Sequence, residues 1–377
     1  MKQEEYIGLD TIACLKGVLK ELNVSKVFLV TGRKSFSACG AKALLDEILK
    51  NYHVCYFNEF QTNPKIEDIN RGIEKFGTDN FDVVIAVGGG SVIDMAKMIN
   101  FLSAYPLTPG GYKIKTRASG VTVRPLIAIP TTSGSGSEAT SFAVLYIDRK
   151  KYSVDNKSIL PDIVIIDSAL TTSLPKYIAA TTGMDALAQA IESYWNINSN
   201  DESKRFAMDA IELIINNLLI AVNCPSSATR LAMAKAANLA GKAINITRTT
   251  APHAISYPLT SSFDISHGQA VSLTLSALLV FNTNVTEQDV LDKRGVSYVR
   301  ETIGEICKST GACDVNEAAE KIDELIHQIG LETRLSSLGL KKEDIETIVN
   351  GFNVDRAKNN PRLLTKEALR EILNEIY

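Results

Sequence analysis

The chain has 377 residues, of which 45% are hydrophobic and 22% charged, enough to bury a large core that ordinarily divides into two domains. A net charge of −3 gives no overall basic field, which argues against nucleic acid as a partner and leaves small molecules, anions included. No apolar run reaches the roughly 18 residues of a membrane span, and the six cysteines form no CxxC pair, so a membrane protein, a disulfide framework and a thiolate metal knuckle are all set aside.

The N-terminal MKQEEYIGLD lacks the basic and then apolar build of a signal peptide, so the expected compartment is the cytoplasm. In chain order, KVFLVT, HVCYFNE, FDVVIAVG and RPLIAIP are short apolar runs rich in β-branched residues. Helical segments such as SACGAKALLDEILK and NRGIEKFG separate them, the pattern of parallel strands joined by crossovers. After about residue 176 the strand signals stop. Amphipathic helical patterns follow in DESKRFAMDAIELIINNLLIAV, TRLAMAKAANLAGKAI, EAAEKIDELIHQIG and TKEALREILNEIY. The fold class expected is therefore α/β plus all-α: a Rossmann-like parallel-sheet domain over residues 1–176 and an all-helical domain over 177–377. The junction at ALTTSLPKYIAATTGMD places the expected active site between them.

Two glycine-rich loops carry the first chemical signal. Gly88, Gly89, Gly90 and Ser91 follow the strand FDVVIAV and precede the helical VIDMAKMINFL, which contains Asp94. Without Cβ atoms the backbone can approach a pyrophosphate, and the first N–H groups of the helix supply donors. A tight strand-to-helix turn explains the same residues, and the GxGxxG spacing is absent. After the strand RPLIAIP, the loop Thr131, Thr132, Ser133, Gly134, Ser135 repeats the logic with hydroxyls, or simply caps a helix.

The second signal lies in GMDALAQAIESYW and TTAPHAISYPLTSSFDISHGQAVSLTL. Asp185 and Gln189 are four apart and share a helix face, and two of only four histidines, His253 and His267, follow downstream. One carboxylate and two imidazoles suit zinc or ferrous iron in a single divalent site. The plainer alternative makes Asp185 a helix cap and the histidines satisfied core groups. His53 and His327 carry no functional signal.

Taken together, GGGSVIDMAK, IPTTSGSGSEAT, ILPDIVIIDSALTTSLP, GMDALAQAIESYW and HAISYPLTSSFDISHG resemble, in this order, the iron-containing (group III) alcohol dehydrogenases. The resemblance spans nearly the whole chain, from KVFLVTGRKSF to NNPRLLTKEALREIL, and implies a dehydroquinate synthase-like architecture. It implies that Gly88, Gly89, Gly90, Ser91 and Asp94 serve the cofactor pyrophosphate, and that Thr131, Thr132 and Ser135 serve its nicotinamide half. It also implies one Fe2+ or Zn2+ held by Asp185, His253 and His267. The fourth ligand, histidine in most iron-dependent relatives, is here Gln189, a weaker neutral oxygen donor. Relatives that prefer NAD often carry an aspartate at the position of Gly32. Its absence, followed by Arg33, Lys34 and Ser35, predicts NADPH over NADH.

A further departure is Tyr257, one turn after His253, where many relatives place another histidine. Its phenol is a candidate acid for the product alkoxide, or a packing residue. The implied reaction is reduction of a small aldehyde to a primary alcohol, with hydride from the dihydronicotinamide and polarisation by the metal. LAQAIESYW and APHAISYPLTS are similar to the phosphonoacetaldehyde reductase branch, which makes 2-hydroxyethylphosphonate, and its dianion would call for cations such as Arg248 or Lys151. Three alternatives stand beside this: a general short-chain alcohol or diol dehydrogenase, a lyase-like relative using NAD without net turnover, and a metal-free nucleotide-binding protein. The family commonly dimerises, so a homo-oligomer is expected.

Overall fold

A computed structural model describes residues 3–106, 122–148 and 150–377. The chain forms two compact units, Met1–Leu174 and Pro175–Tyr377.

Unit one is the parallel-sheet domain that the strand signals called for. Its strands are β1 (Glu4–Gly8), β2 (Lys26–Thr31), β3 (His53–Phe57), β4 (Val83–Gly88), β5 (Leu126–Pro130), β6 (Phe142–Ile147), β7 (Lys150–Asp155) and β8 (Ile163–Asp167). Its helices are α1 (Leu15–Glu21), α2 (Ser35–Ala38), α3 (Ala41–Ile48), α4 (Ile66–Phe76) and α5 (Gly90–Ala104). Six strands make one parallel sheet in the order β1-β8-β5-β4-β2-β3, while β6 and β7 form a separate antiparallel hairpin. Alternate residues feed two cores. Phe28, Val30, Val84, Ala86 and Ala128 enter one, and Val27, Leu29, Val83, Ile85, Ile127 and Ile129 enter the other. A sheet buried on both faces needs apolar residues at every position, which is why these strands read as continuous runs.

Strand order reverses between β2 and β4, so chain connections depart in opposite directions there. The register sets Thr31 beside Val87 and Gly88 beside Pro130. The loops after β2, β4 and β5 therefore emerge together at the carboxyl edge beside a topological switch point, where open α/β sheets bind ligands.

Unit two is helical among the described residues, apart from an isolated bridge between Val290 and Arg362. It comprises α6 (Lys176–Trp195), α7 (Asp201–Asn223), α8 (Ser227–Thr247), α9 (Ala251–Phe263), α10 (His267–Ser272), α11 (Leu275–Thr283), α12 (Val296–Ser309), α13 (Val315–Gln328), α14 (Asp344–Gly351), α15 (Val354–Ala357) and α16 (Lys366–Glu375). From Gly183 to Trp195 every residue of α6 is buried, which makes it the central helix of this unit. Capping boxes at Asn200 and Ser226 start α7 and α8, the two long helices packed on it. By length and composition α7 could cross a membrane, contrary to the expectation that no segment would. It nevertheless carries Asp201, Glu202, Lys204, Arg205, Asp209 and Glu212, and buries Ala207, Ala210, Ile211, Ile214 and Leu218 within the unit. All six cysteines are free thiols.

Candidate active site

Within unit one, the loop residues singled out in the sequence come together. Gly88 ends β4 and Gly90 begins α5. A Cβ at Gly89 would meet Thr132 Oγ1 at 3.2 Å, and one at Gly90 would meet Ser135 Oγ at 2.5 Å. The missing side chains thus make a cradle of backbone N–H groups and hydroxyls at the start of a 15-residue helix, which fits a pyrophosphate. Thr131 N–H donates to Gly88 O at 3.1 Å and locks the two loops together. Ser91 Oγ accepts from the Asn63 N–H at 3.2 Å.

Asp94 lies one turn into α5 and accepts from Val144 N–H at 3.0 Å. The surrounding protein raises its carboxyl pKa against the pull of Lys97 and Lys151. Lys151, expected at the substrate, is thus placed on β7 with its charge acting on Asp94. Lys97, not anticipated from the sequence, is 1% exposed and donates to the carbonyls of Ser137, Thr140 and Phe142. Burial pushes its pKa down to about 8, although Asp94 and Glu138 pull the other way. It pins the hydroxyl loop and β6 to α5.

After β2, Gly32 is half-buried and Arg33 and Lys34 are exposed. Arg33 Nε donates to Asn58 O at 3.0 Å. A Cβ at Gly32 would meet Ser35 Oγ at 2.2 Å.

In unit two, the carboxylate and both imidazoles converge. Asp185 Oδ1 lies 3.2 Å from His253 Nε2 and 3.8 Å from His267 Nε2. One ligand atom from each of the three lies within 4.8 Å of the others. Ligand atoms around a tetrahedral zinc, with bonds of about 2.0–2.1 Å, stand roughly 3.3 Å apart, so the two distances from Asp185 are near those of an ion-binding set and a bound ion would draw the three together. Gln189 follows Asp185 by one turn, is buried, and hydrogen-bonds the Asp185 carboxylate.

Both rings present Nε2 for a reason visible one layer out. Glu192, fully buried, lies 2.7 Å from His253 Nδ1 and also accepts from the backbone N–H of His253 at 2.9 Å and of Thr250 at 3.3 Å. Ser256 spends its hydroxyl proton on His253 O at 2.8 Å, so its oxygen is left to accept from His267 Nδ1 at 3.4 Å. Without an ion, His253 turns Nε2 to Asp185 as its hydrogen-bond partner and Nδ1 to Glu192, while His267 turns Nδ1 to Ser256 and Nε2 to Asp185; a bound ion would take the place of the proton on His253 Nε2. Sequence reasoning overlooked Glu192, although its position seven residues after Asp185 on one helix face was a readable sign.

Charge in this cluster is balanced among the same groups. Burial pushes the Asp185 carboxyl up, but the His253 hydrogen bond, the charges of His267 and His253 and the Gln189 hydrogen bond outweigh it and hold it below its ordinary value. Burial pushes His253 down, and Glu192 and Asp185 together raise it to about 10. Without an ion, a proton on His253 supplies the positive charge that the two buried carboxylates demand. A divalent cation meets the same demand with a larger charge.

Local backbone explains the convergence. Asp264, at φ 56°, ends α9, and α10 restarts at His267. Gly268 then packs so closely that a Cβ there would stand 1.9 Å from Thr181 O on α6. Tyr257 is half-buried on α9, with the Arg356 guanidinium 4.6 Å over its ring. Arg248, the other cation named for the substrate, donates from Nη1 to Ile244 O at 3.3 Å and Asn245 O at 2.5 Å at the end of its own helix α8.

Comparison with known proteins agrees with this arrangement. Residues 3–168 match the iron-containing alcohol dehydrogenase family, and residues 179–377 match the C-terminal domain of the same Fe-containing family. A phosphonoacetaldehyde reductase of Streptomyces viridochromogenes is 34% identical over 309 residues, 78% of this chain and 76% of that protein. A 1-propanol dehydrogenase of Salmonella typhimurium is 32% identical over 340 residues, 86% of this chain and 85% of that protein. Among solved structures, sulfoacetaldehyde reductase from Bifidobacterium kashiwanohense in complex with NAD+ superposes with a TM-score of 0.87 at 29% identity, covering 99% of this chain and 96% of that one. The family uses NAD(P) and one metal ion, and its members include alcohol dehydrogenases and aldehyde reductases. The chain belongs to the iron-containing alcohol dehydrogenase family.

Proposed function

We propose that this enzyme reduces a short aldehyde with an anionic head group to its primary alcohol, phosphonoacetaldehyde to 2-hydroxyethylphosphonate in particular, using NADPH. The observation that carries the reductase reading is the convergence of Asp185, His253 and His267 in one buried cluster. These three would hold the ion, with Gln189 beside them and Glu192 and Ser256 fixing the two rings. Gly88 to Ser91 would hold the cofactor pyrophosphate, and Thr132 and Ser135, packed against that loop, would face its nicotinamide half. Once bound, a divalent ion would supply Lewis acidity at the carbonyl and the dihydronicotinamide would supply hydride. Tyr257 stands one turn from His253, where its phenol can pass a proton to the product oxygen. Arg33 and Lys34, exposed beyond β2 where no carboxylate stands at Gly32, favour a 2′-phosphate.

The phosphonate substrate is supported by two relatives whose own substrates pair a two-carbon aldehyde with a phosphonate or a sulfonate. The 1-propanol relative supports a second reading, a general short-chain alcohol dehydrogenase. The convergent triad weighs against a chain that binds nucleotide without turnover. The deciding experiment follows NADPH consumption, with NADH as control, on phosphonoacetaldehyde and on propionaldehyde, with Zn2+ and Fe2+ each supplied. Preference for NADPH and the phosphonate supports the proposal, and faster turnover of propionaldehyde transfers it to the general enzyme. No net oxidation of NADPH with either metal rules out both.

A further inference from the structure

We infer that Lys97 is a positioning residue for the nicotinamide half of the cofactor, holding Ser137, and through it the hydroxyl loop, in fixed relation to the pyrophosphate cradle. The inference rests on the cofactor placement above and names the group that keeps the two halves of that site in register. Gly90, Asp94 and Lys97 are spaced four and three residues apart, so they stand on one face of α5. The helix that begins at the cradle therefore carries Lys97 about two turns farther on. Its ammonium gathers one stretch of chain, donating to Ser137 O, to Thr140 O at 2.7 Å and to Phe142 O at 3.1 Å.

Ser137 is gripped at both ends. Its carbonyl accepts from Lys97, and its hydroxyl donates to the Asp94 carboxylate. Ser135 Oγ donates to Ser137 Oγ at 3.1 Å and accepts from Ser137 N–H at 3.3 Å, so the hydroxyl that lies against Gly90 takes its place from Ser137. Only an ammonium offers three N–H donors from one atom, which is what three converging carbonyls need. Lys97 is 1% exposed, and a methionine would fill the same space without burying a charge, a cost that Asp94 and Glu138 offset only in part. The consequence for the reaction is geometric. Hydride transfer needs the reacting atoms about 3–3.5 Å apart, and a misplacement of about 1 Å can cost on the order of 100-fold.

The test compares the wild-type enzyme with Lys97→Met, Lys97→Gln and Ser137→Ala. Binding is measured for NADPH, by nicotinamide fluorescence, and for adenosine 2′-phosphate 5′-diphosphate, by calorimetry. The second ligand keeps the pyrophosphate and lacks the nicotinamide riboside. Lys97→Met should weaken NADPH by roughly tenfold or more, leave the fragment within about twofold, and lower kcat at saturating NADPH by about 10–100-fold. Lys97→Gln, which retains an amide donor, should fall between it and the wild type. Ser137→Ala leaves the carbonyl on Lys97 and should show the same split at smaller size, so it and Lys97→Gln decide the matter if Lys97→Met does not fold. Fragment binding reports that unit one is intact in each variant. An equal loss on NADPH and the fragment overturns the inference by reducing Lys97 to a brace for the fold, and unchanged NADPH affinity and kcat overturn it outright. A wild-type enzyme that prefers NADH puts the same comparison on NADH and ADP, with the same split expected and the same results overturning it. A wild-type enzyme that binds neither dinucleotide overturns the cofactor reading and the inference with it.

Discussion

Gly268→Ala should dismantle the candidate metal site from outside its ligand set. The added Cβ would sit 1.9 Å from Thr181 O and 2.6 Å from Thr181 C, and ordinary contact begins at 3.4 Å. Relief therefore requires an opening of about 1.5 Å (3.4 − 1.9) between α6 and α10. No side chain can rotate away, because the obstacle is backbone in a buried helix. Thr181 stands one turn before Asp185, and Gly268 directly follows His267, so the wedge enters between two ligand-bearing segments. If the opening falls along the His267 to Asp185 vector, their 3.8 Å separation becomes about 5.3 Å (3.8 + 1.5). Two ligands of one ion cannot stand farther apart than twice the bond length, about 4.2 Å, so His267 would be lost from the set. Overpacking of this kind costs about 1–3 kcal/mol, and each kcal/mol lowers the melting temperature by about 2–4 °C in a unit of this size. The assay is Zn2+ affinity by chelator competition together with thermal unfolding of the metal-free protein. We expect at least a tenfold loss of affinity and a lower melting temperature. A variant with wild-type values of both would refute the reasoning, since the packing would then yield without moving either helix.

Glu192→Gln should fold and weaken Zn2+ binding by about 10–100-fold, because the carboxylate 2.7 Å from His253 Nδ1 is replaced by a neutral amide; an unchanged affinity would reduce Glu192 to an anchor for the start of α9. In the metal-free protein, His253 is raised from 6.5 to about 10, so its contribution to stability is fully present below pH 6.5 and is lost as pH rises towards 10. Urea midpoints of the metal-free protein should carry that decline between pH 6.5 and 10, and His253→Gln should remove it; Zn2+ affinity should rise over the same interval as the competing proton leaves. Gly32→Asp should raise the KM for NADPH and lower that for NADH, each by roughly tenfold, as a carboxylate repels the 2′-phosphate and accepts from a free ribose. The side chain that a new Cβ would meet is the rotatable hydroxyl of Ser35, so this substitution should be tolerated, and unchanged cofactor preference would sever the loop after β2 from selectivity.

Sequence by itself determined the strands β2 to β5 and the long helices, because the two periodicities, and the double burial of parallel strands, are local properties of the chain. It also supplied Asp185, His253 and His267, since few side chains can ligate a metal and their types are visible without a fold. The edge strand β1 escaped it, for Glu4 pairs with Ile163 and only that distant partner makes a strand of the segment. The β6 and β7 hairpin was missed as well, because Lys150–Asp155 is polar and owes its conformation to Phe142–Ile147. Residue type could not foretell an arginine's neighbours: Arg248 donates to the carbonyls of its own helix, while Arg356, more than a hundred residues later, is brought over Tyr257 by the packing of α14 and α15 on α9. Composition thus decides which groups can bind or react, and tertiary structure decides which of them meet, because a contact between remote segments depends on how whole helices pack and leaves no mark in the residues on either side of it.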